Sequence, residues 1–352
     1  MLRRVLRTVA VLATLLFAAA GPARAAEPPT LRLAVLKFGT VNWLTETIRA
    51  EGLDRAAGYR LEVVPLAGKA ATTIAFQSGD ADLIVTDWVW ALGRRALGED
   101  LRFAPYSGAL GALMARPESG VADLCGLEGR TVGVVGGAQD KSWLVYEALA
   151  AERCGLALDS ATQTLFGAPP LMSRQLETGG VDAVSTYWHY AARLEAAGMT
   201  RLLTMPAALA GLGIEPAPPL VGFVWNAARR APEAVAAFLA SAEAAGRMLA
   251  AEDAPWERLR PLMRPADEAA FRQLRDDYRA GIPDAWPDGW NAADTAAAER
   301  LYAVLLAGGG DAFARGAGRW DPAVFDAPRP AAYGSSQPAA NQPAAKKPAA
   351  TE

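Results

Sequence analysis

Two stretches hold the residues best suited to grip a small molecule. SGDADLIVTDWVW runs over 78–90 and TGGVDAVSTYWHY over 178–190. At an offset of 100 residues Gly79 matches Gly179, Asp82 matches Asp182, Thr86 matches Thr186 and Trp88 matches Trp188. Asp87 offers a carboxylate, Trp88, Tyr187 and Trp188 offer flat apolar faces, and His189 is the only histidine. A third stretch, GVVGGAQDKSW at 133–143, invites a phosphate-loop reading, because a helix start offers free N–H groups and a positive dipole end. It lacks the Gly-Lys-Ser/Thr ending, and Asp140 stands where an anion would, so capping by Asp140 is the favoured reading. No Gly-x-Ser-x-Gly elbow occurs, and Asp87 with His189 is the one proton-transfer pair on offer. The pattern favours binding over catalysis. Trp43, Trp88, Trp90, Trp143, Tyr187, Trp188 and Tyr190 gather at expected strand ends, with core packing the competing role for each, Trp90 and Tyr190 foremost. With Asp87 they suit an organic or cationic solute better than an inorganic anion, which wants Arg and N–H donors.

The elements that must position these residues follow from hydrophobic periodicity. Strands are expected at Leu31–Lys37, Tyr59–Leu66 and Leu83–Val85, with helices at Asn42–Arg55, Ala70–Gln77 and from Asp87 to Ala96. The same order recurs: strands at Arg130–Val135, Thr162–Phe166 and Ala183–Ser185, helices at Asp140–Arg153, Pro169–Thr178 and Trp188–Ala197. Each half is a β-α-β-α-β-α unit, which implies a parallel sheet with right-handed crossovers. Ligands bind outside the carboxyl ends of such strands. Two sheets with those ends facing make one cleft, with Thr86-Asp87-Trp88 opposite Thr186-Tyr187-Trp188. The chain is expected to cross outward near Ala112–Arg116 and back through PLVGFVWN (219–226), two crossings that make a hinge. The later helices, 256–262, 267–279 and 291–306, are expected to pack on the first lobe.

Residues 1–25 carry Arg3, Arg4 and Arg7, an apolar run from Val9 to Ala20, and Ala23-Arg24-Ala25. That is a cleavable secretory signal, too short in its apolar part to span a membrane, and no cysteine follows it to make a lipoprotein. A periplasmic location is expected. The formal net charge is −3, and losing the arginine-rich signal makes the rest more acidic, which argues against nucleic acid as a partner. The two cysteines, Cys125 and Cys154, meet an oxidising compartment, where pairing is the default and two separately buried thiols the alternative. Two cysteines and one histidine cannot fill a structural zinc site, so no metal is expected. The segment 331–352, rich in Pro, Ala, Gln and Lys, is expected to be disordered.

Several stretches then carry a resemblance: FGTVNW after the first strand, IAFQSGDADLIVTDW, DLCGLEGRTVGVVGG and FGAPPLMSRQLETGGVDAVSTYWHY. Their order over roughly residues 30–300 resembles the periplasmic solute-binding proteins of ABC importers, in the nitrate/sulfonate/taurine (and thiamine-precursor) branch. The resemblance implies an α/β, two-lobed periplasmic-binding-protein fold of type II: two doubly wound lobes, two crossover strands and a ligand cleft between. Lobe 1 would hold residues 26–114 and 220–330, and lobe 2 residues 115–219. It implies a monomer that closes on a small-molecule solute without a cofactor and docks on an ABC permease in the inner membrane. Candidate contacts are Thr40, Asn42, Trp43, Asp87, Trp88, Ser107 and Gly108 in lobe 1. In lobe 2 they are Gly137, Ala138, Gln139, Asp140, Tyr187, Trp188 and His189. The alternatives are a receptor reporting to a membrane sensor and an enzyme reusing the fold. The aromatic-rich cleft with Asp87 departs from a plain nitrate or sulfonate receptor.

Overall fold

The computed structural model of the chain describes residues 27–282 and 290–328. The expected signal peptide (1–25) and the expected disordered tail (331–352) lie outside the described residues. The chain begins β1 (Thr30–Leu36), α1 (Val41–Ala50), α2 (Leu53–Ala56), β2 (Arg60–Leu66), α3 (Lys69–Ser78), β3 (Leu83–Asp87), α4 (Trp88–Arg95) and β4 (Leu101–Ser107). After β5 (Ala112–Ala115) the pattern repeats: β6 (Thr131–Val135), α5 (Lys141–Cys154), α6 (Leu158–Ala161), β7 (Gln163–Gly167), α7 (Pro169–Glu177), β8 (Ala183–Thr186), α8 (Trp188–Ala196), β9 (Thr200–Thr204) and α9 (Met205–Gly211). Strand β10 (Val221–Asn226) leads into α10 (Pro232–Ala251), α11 (Ala254–Met263), α12 (Glu268–Ala280) and α13 (Ala292–Ala317).

The two sheets have the same order, β2-β1-β3-β10-β4 and β7-β6-β8-β5-β9. In each, the fourth strand is antiparallel to its neighbours and is the one the crossing chain supplies. This is the two-lobed α/β architecture. Because β5 pairs with β8 and β9, residues 112–114, expected in lobe 1, belong to the second sheet, and the outward crossing falls within 108–111. Each crossing delivers the chain to its sheet with a glycine held against a neighbouring strand. A Cβ on Gly111 would lie 2.4 Å from the Thr186 carbonyl oxygen, and one on Gly222 would lie 2.1 Å from that of Ala104.

The sequence repeat has a structural cause. Gly79 and Gly179 take φ of 87° and 77°, the left-handed region that lets a helix end and the chain turn. Asp82 N donates to the Arg32 carbonyl and Asp182 N to that of Thr131, each at 2.8 Å. In return the Asp82 carboxylate accepts from Arg32 N at 2.8 Å and the Asp182 carboxylate from Thr131 N at 3.0 Å. Each aspartate thus fixes the register between the first and third strands of its own sheet.

The C-terminal helices correct a second expectation. Trp256 of α11 packs on Trp43 of α1, as a lobe 1 helix would. Helix α12 instead reaches lobe 2, where Asp277 pairs with Arg201 at 2.6 Å and Gln273 donates to Glu195 at 3.3 Å. Helix α13, bent where Gly310 takes φ 65°, packs on both α5 and α4. These helices carry polar and aromatic groups on two faces, so they bridge the lobes. Helix α10 is long and apolar enough to cross a membrane, but Val235, Phe238, Ala242, Ala245 and Leu249 are buried in the core beside α1.

Cys125 and Cys154 form a disulfide, Cα to Cα 5.5 Å, tying the entry of lobe 2 to the end of α5. Closing a loop of roughly 30 residues is worth about 3–4 kcal/mol in the chain-entropy model. We expect Cys125→Ala/Cys154→Ala to lose that amount in urea unfolding, with a cooperative transition retained. A double variant as stable as the parent would show that the bridge adds nothing.

Candidate functional site

Asp87 ends β3 and caps α4, its Oδ1 accepting from Trp90 N at 2.8 Å. Its Oδ2 accepts from Lys69 Nζ at 2.8 Å and from Lys141 Nζ at 3.3 Å. Lys69 opens α3 in lobe 1 and Lys141 opens α5 in lobe 2, so one carboxylate joins ammonium groups from both lobes. Burial alone would raise the Asp87 pKa. The two lysines and the Trp90 N–H more than reverse that and hold the carboxyl well below its usual range. The same ion pair raises Lys69. Asp140 caps α5 through Ser142 N at 3.0 Å and Trp143 N at 3.3 Å, as the spacing suggested, and burial raises its pKa. Tyr187 completes the group. It is 40% exposed, and its hydroxyl lies within the electrostatic reach of Lys69, Asp87 and Asp140.

Thr40 is buried, and the nearby Tyr106 hydroxyl donates to that of Tyr278 at 3.3 Å. Asn42 holds its own loop, Nδ2 donating to the carbonyls of Leu36 at 2.9 Å and Gly39 at 2.7 Å. Ser107 Oγ and Gly108 N both donate to the Gly281 carbonyl, pinning the crossing to the end of α12. Asn42, Ser107 and Gly108 therefore spend their polar groups on the fold, because each sits where a loop or hinge has carbonyls to satisfy. Gly137 is partly buried with φ 93°, while Ala138 and Gln139 are exposed in the loop before Asp140.

The aromatics divide. Trp43 meets Trp188 edge-on at 5.8 Å, one ring from each lobe, and both pack on Tyr278. Trp88, expected beside the cleft, is fully buried among Tyr302, Trp320 and Phe325. The reason is the pocket that these distant rings form against the start of α4, which Asp87 caps. Trp143 is likewise buried. The fourth match of the repeat, Trp88 with Trp188, is thus a match of letters whose side chains do different work.

His189 lies against Tyr190, ring centroids 4.6 Å apart, and its carbonyl accepts from Arg193. Burial, with Arg193 nearby, pushes its imidazole down to about 3. The pair Asp87 and His189 thus differs in charge: lysines hold the carboxylate ionised, whereas burial disfavours the charged imidazole. In the unfolded chain the imidazole binds its proton near pH 6.5, so between there and about 3 the unfolded state holds more protons. This contribution to stability is present above that window and is lost as pH falls through it. We expect His189→Gln to reduce the loss of stability between about pH 7 and pH 4.5, read from urea midpoints. An unchanged pH dependence would mean that His189 is not buried neutral.

The two lysines were absent from the candidates. Their signal was present: of 35 basic residues only five are lysine, and two of the three outside the tail meet at Asp87. A buried aspartate also demands a cation. Because both lysines already hold it, Asp87 is not free to pair with a cationic solute.

No protein-family profile matches the sequence, and no curated protein matches it. Solved structures do match in fold. A protein of Bordetella bronchiseptica RB50 is 19% identical with a TM-score of 0.63 over 85% of this chain and 94% of that one. The periplasmic aliphatic sulphonate binding protein SsuA of Escherichia coli is 16% identical, TM-score 0.58, over 78% and 92%. The desulfurization enzyme DSZB is 18% identical, TM-score 0.55, over 80% and 92%. The chain therefore has a two-lobed fold that a periplasmic binding protein and an enzyme both use.

Proposed function

We propose that the chain is the solute-capturing subunit of an ABC importer: exported to the periplasm, closing as a monomer on a small organic solute, and delivering it to an inner-membrane permease. The observation that carries this reading is the convergence of two like-ordered sheets, at the carboxyl ends of their strands, on Lys69, Asp87, Lys141 and Tyr187. Ligands of open α/β sheets bind at that end, and two crossing segments supply a hinge. The likeness in fold to a periplasmic sulphonate binding protein supports it.

The test is thermal unfolding of the mature chain against alkanesulfonates, taurine, nitrate, carboxylates, pyrimidines, amines and metal chelates. A solute at about 100 times its Kd adds about 2.7 kcal/mol, enough to move the midpoint by several degrees. A selective shift with the solute recovered unchanged is the expected result. Recovery of a chemically altered solute would favour an enzyme, the role one structural neighbour has. A protein that binds nothing in the panel, and carries nothing in native mass spectrometry, would overturn the receptor reading.

A further inference from the structure

The lysines at Asp87 are placed against the electrostatics of their own helices. Lys69 and Lys141 are the first residues of α3 and α5, where the positive end of the helix dipole disfavours a cation. The chain otherwise uses arginine almost everywhere a base is needed. Two compact ammonium groups at two helix starts, one from each lobe, converge on a point that would attract any anion. The Asp87 carboxylate fills that point, with its side chain 7% exposed and three donors on its two oxygens. Lys69 is still 57% exposed, so the group borders open solvent rather than sitting sealed in a core.

Resting on the reading of the inter-lobe cleft as the solute site, we infer that Asp87 is a built-in occupant of its anion position, so that the cleft rejects small sulfonates and carboxylates and takes a solute whose contacting group is uncharged. An anionic head would meet the Asp87 carboxylate in the place it needs. A cationic head would meet two ammonium groups and two helix starts. With Asp140 beside them, the two lysines and two aspartates sum to no net charge, which leaves hydrogen bonding and the exposed Tyr187 face as the means of recognition. Asp87 is then a specificity-determining residue of the cleft.

The test is calorimetry of the mature protein with sodium ethanesulfonate and acetate at low salt. Asp87→Ser vacates the carboxylate while a serine oxygen still caps Trp90 N. The wild type is expected to show no binding at about 10 mM. Asp87→Ser is expected to bind ethanesulfonate at least about tenfold tighter than the wild type, and Asp87→Ser/Lys141→Met to lose the gain. Asp87→Asn, which keeps the shape, serves if the serine variant does not unfold cooperatively. Wild-type binding as tight as the variant's overturns the inference, and so does a folded variant that gains no anion affinity. Neither result overturns the receptor reading, which falls only if no solute binds the wild type.

Discussion

Replacing Asp82 with alanine is expected to cost about 3–5 kcal/mol of folding free energy, whereas Asp182→Ala is expected to cost about 1 kcal/mol, although the two residues hold the same place in the repeat. The Asp82 side chain is 2% exposed and anchors three groups. Arg32 N donates to Oδ2 at 2.8 Å, the Arg32 guanidinium donates to Oδ1 at 2.9 Å, and Arg230 pairs with Oδ1 as well. Alanine would leave a strand N–H without its acceptor and two guanidinium groups without their counter-charge. Partial exposure of those arginines, 32% and 36%, keeps the cost within the usual range for a broken buried pair. The Asp182 side chain is 25% exposed, with Thr131 N at 3.0 Å and Arg116 no nearer than 4.0 Å, so water replaces most of what alanine removes. Urea unfolding of both single variants checks this. Equal costs would show that the shared backbone clamp, and not the lobe 1 arginines, carries the energy.

The same contrast explains what could be read from the sequence. The clamp depends on contacts local to a strand–helix–strand unit, which is why Gly79/Gly179 and Asp82/Asp182 announced two equivalent sheets. Asp140 was legible as a cap because an acceptor ahead of a helix start has one obvious use. The disulfide was legible because two cysteines in an oxidising compartment have one partner each. What lay hidden depends on distant chain. The inward turn of Trp88 is decided by Tyr302, Trp320 and Phe325, more than 200 residues on. The bridging of α12 to lobe 2 is decided by the Arg201–Asp277 pair, which no periodicity encodes. Lys69 and Lys141 are 72 residues apart in sequence and on different lobes, and only the folded chain brings them to one carboxylate.

Trp88→Ala is expected to cost about 3–5 kcal/mol and Trp88→Phe far less, with any solute response of the folded protein retained in the phenylalanine variant. Trp88 is 0% exposed and its ring centroid lies 6.3 Å from Tyr302 and 5.9 Å from both Trp320 and Phe325. Alanine removes one of the two indoles of this cluster and leaves a void beneath the segment 318–325, which Phe103, Trp290 and Tyr302 also hold. Its indole N–H is buried without a hydrogen-bond partner among the described residues. Phenylalanine discards that donor and keeps most of the apolar ring, so the loss is packing volume alone. A residue lining the cleft behaves the other way: Trp→Ala would spare the midpoint and abolish the solute-induced shift. Measuring the thermal midpoint of each variant with and without the solute separates the two. A stable Trp88→Ala protein blind to its solute would return Trp88 to the cleft, where the match with Trp188 first placed it.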